Sequence, residues 1–344
     1  MEFKNRADIR IGVIGYGASF MMGRTHLTQA REAGGMTPTA ICDIDPERTK
    51  AGAEDFPGIK TYSNATDMLA DDACDVVVVI TPHNSHYELA MQALKAGKNV
   101  ITEKPFTITT EECTAIIEEA KKQGVLLSTY HNRHWDGHIL TAVQKVLKEK
   151  VIGDVYKVNA NMACYKNPGD WWRTSRTISG GNTYDWGVHI LEYTLQIMNA
   201  GIDEVSGYKH AGYWNDKTVW KDDTNDDEGF IVVRYDNGTY STLTISQLDG
   251  GPKPALMCIT GTEGTYLMDF KGYKIIKHIG GEKITMEGEN MPTDWAAYYK
   301  NVSDALMGED KLIVTGEFAR RPIHILDLAA KSAAAGHAMK AQYK

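Results

Sequence analysis

The chain has 344 residues, with 37 lysines and arginines against 45 aspartates and glutamates, for a formal net charge of −8. No basic stripe stands out, which argues against a nucleic-acid or anionic-membrane partner, and no apolar run approaches the length of a membrane span. The length suits about two domains with a substantial core.

Five cysteines, Cys42, Cys74, Cys113, Cys164 and Cys258, are scattered and show no C-x-x-C spacing. They are expected as reduced thiols, with no disulfide frame and no structural zinc site. The first ten residues are polar and of mixed charge, unlike a signal peptide. A cytoplasmic protein is the expectation.

Residues 9–14 form a short apolar run that bends at Gly15 and Gly17 and leads into an amphipathic helix. A buried parallel strand hands the chain to a ligand-facing helix in this way. Glycine lets the backbone take conformations closed to other residues, and lets a pyrophosphate approach the N–H groups of the helix. The pattern reads as the phosphate-binding turn of a Rossmann domain. The third glycine of G-x-G-x-x-G would fall at position 20, where Phe20 stands; Gly23 follows three residues later, so the turn is expanded. The strand at 37–42 ends in Asp43, whose carboxylate suits the ribose hydroxyls and repels a 2′-phosphate, favouring NAD over NADP. Asp45 lies close by, and Asp43 also suits a plain turn or N-cap role before Pro46.

Further along, 46–54 reads as a helix and 59–62 as a strand. The β-branched run at 76–80 reads as a strand buried on both faces. It ends in the polar loop Thr81-Pro82-His83-Asn84-Ser85-His86 before a helix at 87–96. Asn84 and His86 are candidate cofactor neighbours there, and equally ordinary helix-start residues. A strand at 97–102 ends in Glu103-Lys104-Pro105, and a helix at 110–123 precedes a strand at 125–129. Six strands joined mostly by helices predict a doubly wound parallel sheet.

The texture changes near His131. After a helix reaching about residue 149, strands are expected at 155–161, 229–235, 241–247, 255–261 and 265–269, the later ones consecutive without intervening helices. This predicts a mostly antiparallel sheet. Helices at about 294–307 and 316–335 close the chain. The expected architecture is α/β: a Rossmann domain over 1–130 and an α+β domain with an open sheet over 131–344. The last helix is free to pack back on the first domain, with the ligand site expected between the two.

Three side chains carry chemical interest. Asp185 and His189 are four apart at the start of a helix, so they share a face. A histidine titrating near neutrality suits proton transfer at an alcohol oxygen. Lys104, at the end of a parallel strand and stiffened by Pro105, is a candidate acid or base. Each also has a bland reading: a helix cap, a buried histidine and a solvated lysine. Asp170-Trp171-Trp172-Arg173 and His131-Asn132-Arg133-His134-Trp135 combine aromatic faces with donors, which suits a sugar or cyclitol ring. Trp135, Trp171 and Trp172 serve equally as packing residues.

Taken together, these segments resemble the Gfo/Idh/MocA family of NAD(P)-dependent oxidoreductases over nearly the whole length. Gly15, Gly17 and Gly23-Arg24-Thr25-His26 are similar to its glycine turn. Thr81 to His86 resembles its T-P-N-x-x-H loop, with His83 in place of asparagine. Glu103-Lys104-Pro105 matches E-K-P, and Gly180-Gly181-Asn182 through Asp185 and His189 matches G-G-G-x-x-D-x-x-x-H, with Asn182 replacing the third glycine. The resemblance implies a catalytic set of Lys104, Asp185 and His189. It implies cofactor contacts from Gly15, Gly17, Ala18, Ser19, Phe20, Asp43, Thr81, Pro82, Asn84, His86, Glu103 and Lys104. Substrate contacts would come from Lys104, Asn132, Arg133, Trp172, Arg173, Asp185 and His189.

The implied activity is NAD-dependent oxidation of a secondary hydroxyl of a sugar, glycoside or cyclitol, in a homodimer or homotetramer. A redox-neutral glycosidase that oxidises a ring carbon transiently is an alternative, as is a non-catalytic dinucleotide sensor. A metal enzyme ranks low, because Asp185 and His189 have no third and fourth ligand at convincing spacing.

Overall fold

The computed structural model describes residues 3–17 and 20–343. Ala18 and Ser19, both expected at the cofactor, lie outside the described residues. The chain divides into two compact units: Met1–Asn132 with Ala296–Arg320, and Arg133–Trp295 with Arg321–Lys344. The first is thus built from two pieces of the chain, since residues 296–320 return to it.

Six strands form the sheet of the first unit: β1 (Arg10–Ile14), β2 (Thr37–Cys42), β3 (Lys60–Tyr62), β4 (Val76–Val79), β5 (Asn99–Thr102) and β6 (Leu127–Thr129). They are all parallel, in the order β3-β2-β1-β4-β5-β6. The expected doubly wound sheet is therefore present. β1 and β4 flank its switch point, where a ligand crevice lies at the carboxyl ends of the strands. All four valines of β4 are fully buried, as a strand covered on both faces requires. Five helices alternate with the strands: α1 (Met22–Glu32), α2 (Pro46–Asp55), α3 (Ala65–Ala70), α4 (His86–Lys95) and α5 (Thr110–Gln123).

Local chemistry sets the helix starts. Thr109 and Glu112 form a reciprocal capping box on α5, and Gly124 closes it in the left-handed region. Asp45 caps α2 by accepting from Glu47 N at 2.9 Å, with Pro46 in the first turn.

The second unit holds a nine-stranded sheet. Helix α6 (Gly137–Ala142), which runs into a π-helical turn over Val143–Lys148, precedes its first strand, and α7 (Arg176–Ser179) and α8 (Thr183–Met198) lie between its first two. The strands are β7 (Val155–Ala163), β8 (Ile202–His210), β9 (Glu228–Tyr235), β10 (Tyr240–Ser246), β11 (Met257–Gly261), β12 (Gly264–Met268), β13 (Gly272–Ile279), β14 (Glu282–Glu289) and β15 (Met339–Lys340). Their order is β14-β13-β12-β11-β7-β10-β9-β8-β15, antiparallel at each step except between β7 and β10. α8 lies against this sheet, with Gly187 facing Leu243 of β10. Helix α9 (Ala297–Leu306) belongs to the first unit, and α10 (Gly316–Ala335) follows it in the chain. β8, β13, β14, β15, α3 and α7 were not expected; each is short or broken by charged residues.

Candidate active-site elements

The glycine turn follows β1. Gly15 has φ +91°, and a Cβ there would meet the Ile80 carbonyl oxygen at 2.7 Å. Gly17 has φ +58° and open space where a side chain would point. A carboxylate closes the turn: Asp43 Oδ2 accepts from Tyr16 N at 2.7 Å and Gly17 N at 3.2 Å, and Oδ1 accepts from Asp45 N at 3.0 Å. With Asp45 spent as the α2 cap, Asp43 is the acid that addresses the turn. Three of roughly four acceptor positions on its carboxylate are used by backbone.

α1 then starts at Met22. Its N-cap, Met21, is left-handed (φ +52°) and supplies no side-chain cap, and no acidic residue occupies the first turn. Gly23 takes the part of the third fingerprint glycine. A Cβ there would lie 2.6 Å from the Tyr16 ring and 2.8 Å from Tyr16 Cα, so only glycine lets the helix approach this closely. Phe20 and Met21 are exposed where the expanded turn meets α1. Open glycine backbone and an uncapped helix start with no competing acid fit a dinucleotide pyrophosphate.

At the end of β4, His83 turns inward and is buried, while Pro82 and Asn84 are exposed. Ser85 Oγ donates to Thr81 Oγ1 at 2.7 Å. His86, the first residue of α4, is completely buried; its Nδ1 lies 2.7 Å from Pro105 O and its Nε2 2.9 Å from Thr81 O. Both neighbours are carbonyl oxygens, so a neutral ring, with one N–H, donates to one of them. Burial lowers its pKa below the ordinary histidine value, against the pull of the two carbonyls.

Glu103 follows β5. Its Oε2 accepts from Lys104 N at 2.8 Å, and its Oε1 lies 3.1 Å from His26 Nε2. Burial alone would raise its pKa, but the His26 contact and Lys104 hold the carboxyl below its usual range. Lys104 is half-buried, and its bond to Pro105 is cis. Asn132 lies at the end of this unit's first segment and is partly exposed.

In the second unit, Gly180 and Gly181 have φ +88° and +132° and turn the chain into α8. Asn182 is helical at φ −53°, so the missing third glycine costs nothing in backbone strain. Asp185 is the third residue of α8, a favoured place for a carboxylate. Arg173 Nη1 donates to its Oδ1 at 2.5 Å, and the same guanidinium stands 5.3 Å from the Trp171 ring and 5.1 Å from the Trp172 ring. His189, one turn on and buried, lies 5.8 Å ring to ring from Trp186.

Arg133 stands 4.8 Å from the Trp186 ring and 5.5 Å from Trp295, and donates to Asp136 Oδ2 at 3.1 Å. Asp136 also accepts from Tyr193 Oη at 2.5 Å and Trp295 Nε1 at 2.6 Å. Sequence reasoning missed Asp136, Trp186, Tyr193 and Trp295. It also missed Asn225, whose Nδ2 donates to Arg173 O at 2.6 Å and whose Oδ1 accepts from Ser179 Oγ at 3.1 Å. The signal for Asn225 was an unusual polar run, 222–227, directly before a strand. Among the described residues, no three His, Cys, Asp or Glu side chains form a group able to hold a metal ion. No described helix is long and apolar enough to cross a membrane.

Residues 9–131 match the family described as "Oxidoreductase family, NAD-binding Rossmann fold", and residues 140–267 match the "GFO/IDH/MocA C-terminal domain". The chain is 28% identical over 346 residues to scyllo-inositol 2-dehydrogenase (NADP(+)) of Bacillus subtilis, covering 94% of this chain and 93% of that one. It is 28% identical over 241 residues to myo-inositol 2-dehydrogenase of Thermotoga maritima, covering 70% and 69%. Among solved structures, an NAD-binding protein from Listeria innocua superposes with a TM-score of 0.80 at 27% identity, over 97% of both chains.

Proposed function

The chain belongs to the Gfo/Idh/MocA oxidoreductase family, and we propose that it is an NAD-dependent dehydrogenase acting on a secondary hydroxyl of a sugar, glycoside or cyclitol. The observation that carries this reading is the first two turns of α8, where Asp185 is ion-paired to an arginine flanked by two indoles and His189 follows one turn later. A helix start so furnished has donors and acceptors for ring hydroxyls, aromatic faces for ring C–H groups, and an imidazole for a proton.

A bound nicotinamide supplies the hydride acceptor. In this reading Lys104 donates a hydrogen bond to the reacting oxygen, and His189 takes the hydroxyl proton as the C–H bond breaks and the carbonyl forms. Asp185 and Arg173 hold neighbouring hydroxyls, with Trp172, Asn132 and Arg133 completing the substrate contacts. Gly15, Gly17 and the start of α1 hold the pyrophosphate, and Asp43 sets the preference for NAD over NADP by repelling a 2′-phosphate.

The test is NADH or NADPH formation, followed by absorbance, over a panel of inositols, aldoses and glycosides with each nucleotide, on the wild type and Lys104→Met. Activity untouched by Lys104→Met would take the lysine out of the mechanism. A preference for NADP⁺, the nucleotide in the name of the Bacillus relative, would overturn the role given to Asp43. Glycoside cleavage without net nucleotide reduction would replace the dehydrogenase with the redox-neutral glycosidase.

A further inference from the structure

We propose that His26 and His86 are positioning residues for Lys104, two buried imidazoles that grip the chain on either side of it. His26 is the fifth residue of α1, and His86 is the first residue of α4. Both are fully buried, and neither ring reaches solvent.

The first grip runs through Glu103. An ionised carboxylate only accepts hydrogen bonds, so the His26 nitrogen 3.1 Å from Glu103 Oε1, Nε2, carries the proton. The other nitrogen, Nδ1, is then an acceptor, and the Tyr299 hydroxyl 2.6 Å away donates to it. Glu103 Oε2 accepts from Lys104 N at 2.8 Å. The Tyr299 hydroxyl donates to His26, His26 donates to Glu103, and Glu103 accepts from the Lys104 amide as well. Tyr299 lies on α9, in the segment that returns to the first unit, and is itself fully buried.

The second grip is on Pro105, the next residue. Its carbonyl oxygen lies 2.7 Å from His86 Nδ1, the shorter of the ring's two approaches to a carbonyl; a neutral ring has one N–H, and the grip puts it on Nδ1, not on Nε2, which faces Thr81 O at 2.9 Å. The peptide carrying Lys104 is thus tied before and after by side chains from the helices that follow β1 and β4. A lysine that must meet one oxygen atom depends on such support, since a misplacement of about 1 Å can cost about a hundredfold in rate.

The two grips use opposite ring nitrogens, and this makes them separable. A glutamine amide reaches the place of Nε2, and an asparagine amide reaches the place of Nδ1. At position 26 the contact that matters is on Nε2, so His26→Asn should lower kcat about a hundredfold, with His26→Gln losing about tenfold less. At position 86 the contact is on Nδ1, and the order reverses: His86→Gln is the damaging change and His86→Asn the milder one. This inference rests on the dehydrogenase reading only for its turnover arm, which uses NAD⁺ and the best alcohol of the panel above. NADH affinity, read by fluorescence titration, should stay within about threefold in the His26 variants, because the Gly15–Gly17 turn is untouched. In a Lys104→Ala background the losses should vanish. Should an asparagine or glutamine variant fail to fold, Tyr299→Phe removes a single oxygen from the first grip; it should cost about tenfold in kcat and nothing beyond Lys104→Ala.

A second arm needs no turnover. Acetylation of Lys104 by an N-hydroxysuccinimide ester, followed by peptide mass spectrometry, should change rate in the same crossed order. The same ranking of amides at both positions, losses that persist with Lys104→Ala, or unchanged labelling of Lys104 would each overturn the proposal. A wild type that turns over no alcohol would sink the dehydrogenase reading, while labelling still decides the grip.

Discussion

Asp43 Oδ2 lies 2.7 Å from the backbone nitrogen of Tyr16, inside the glycine turn. The carboxylate that the sequence offers to a ribose therefore also builds the surface on which a pyrophosphate would rest. Hydrogen bonds to a charged group contribute about 1.5–3 kcal/mol each. Asp43→Ala should then weaken both nucleotides through the turn, NADH by about ten- to a hundredfold and NADPH by less, because the charge that repels a 2′-phosphate is lost as well. Asp43→Asn keeps an acceptor oxygen and removes the charge, so it should lose less and shift preference toward NADPH. Fluorescence titration with both nucleotides separates the roles. An alanine variant that binds NADPH more tightly than wild type would reduce Asp43 to a discriminator with no part in the turn.

Gly23 and Gly17 require glycine for different reasons, and substitution should tell them apart. A Cβ at Gly23 would sit 2.6 Å from the Tyr16 ring and 2.9 Å from its carbonyl oxygen, so Gly23→Ala must push α1 away from the turn. Overpacking of this kind costs about 1–3 kcal/mol. At Gly17 a Cβ meets nothing, and the cost is the left-handed backbone alone, about 1–2 kcal/mol for alanine. Asparagine tolerates that conformation, so Gly17→Asn should recover part of the loss while Gly23→Asn deepens it. Urea unfolding reads the difference; equal losses at both sites would refute it.

The parallel sheet was legible because burial on both faces leaves a run such as the four valines of β4, which few other structures explain. β14 shows the reverse case. All of its residues but Gly288 are exposed, so pairing with β13 selects it and no apolar face does. The glycine expansion was visible as a displaced Gly23, but not its cause. Only the approach of α1 to Tyr16 shows that Gly23 does the work of the glycine missing at position 20. Asp185 and His189 stood out as a local i, i+4 pair and Lys104 as a strand-end lysine before Pro105, and the family resemblance joined them into one set. Asp136 did not, since the indole that donates to it, Trp295, is 159 residues away and no periodicity links them. Asp43 and Asp45 looked interchangeable in the sequence, and backbone geometry separated them: one caps α2 and the other closes the turn.

The ion pair between Arg173 and Asp185 should behave as one unit. The guanidinium is planar, bonds Asp185 and stands over two indole rings, at 5.3 and 5.1 Å, a combination that lysine cannot reproduce. Arg173→Lys should therefore lose nearly as much kcat/KM as Arg173→Ala, about tenfold or more. Asp185→Asn should lose a similar amount, and the double variant little beyond the worse single one, a coupling of about 1–3 kcal/mol. Strict additivity of the two losses would mean that arginine and aspartate contact the substrate independently.

Alkaline stability should report the buried thiols. Burial pushes the Cys42 thiol up to about 11, helped by Asp43 and Asp67, and pushes Cys74 up to about 12. In the unfolded chain a cysteine ionises near 8.5. Above about pH 8.5 the unfolded state binds fewer protons than the native state, so stability falls as pH rises and levels off only near the native values. Below that point the contribution is fully present. Each thiol should account for on the order of 3 kcal/mol across the window. Urea unfolding from about pH 7 to about pH 10 should slope downward in the wild type and less steeply in Cys42→Ala or Cys74→Ala, whose curves start lower because of the cavity each leaves. A thiol reagent offers a direct check at neutral pH: Cys164 is exposed and should react at once, whereas Cys42, Cys74 and Cys113 are buried and should wait for unfolding. Parallel slopes in the variants, or rapid labelling of Cys42 or Cys74 in the native protein, would contradict the packing around β2 and β4.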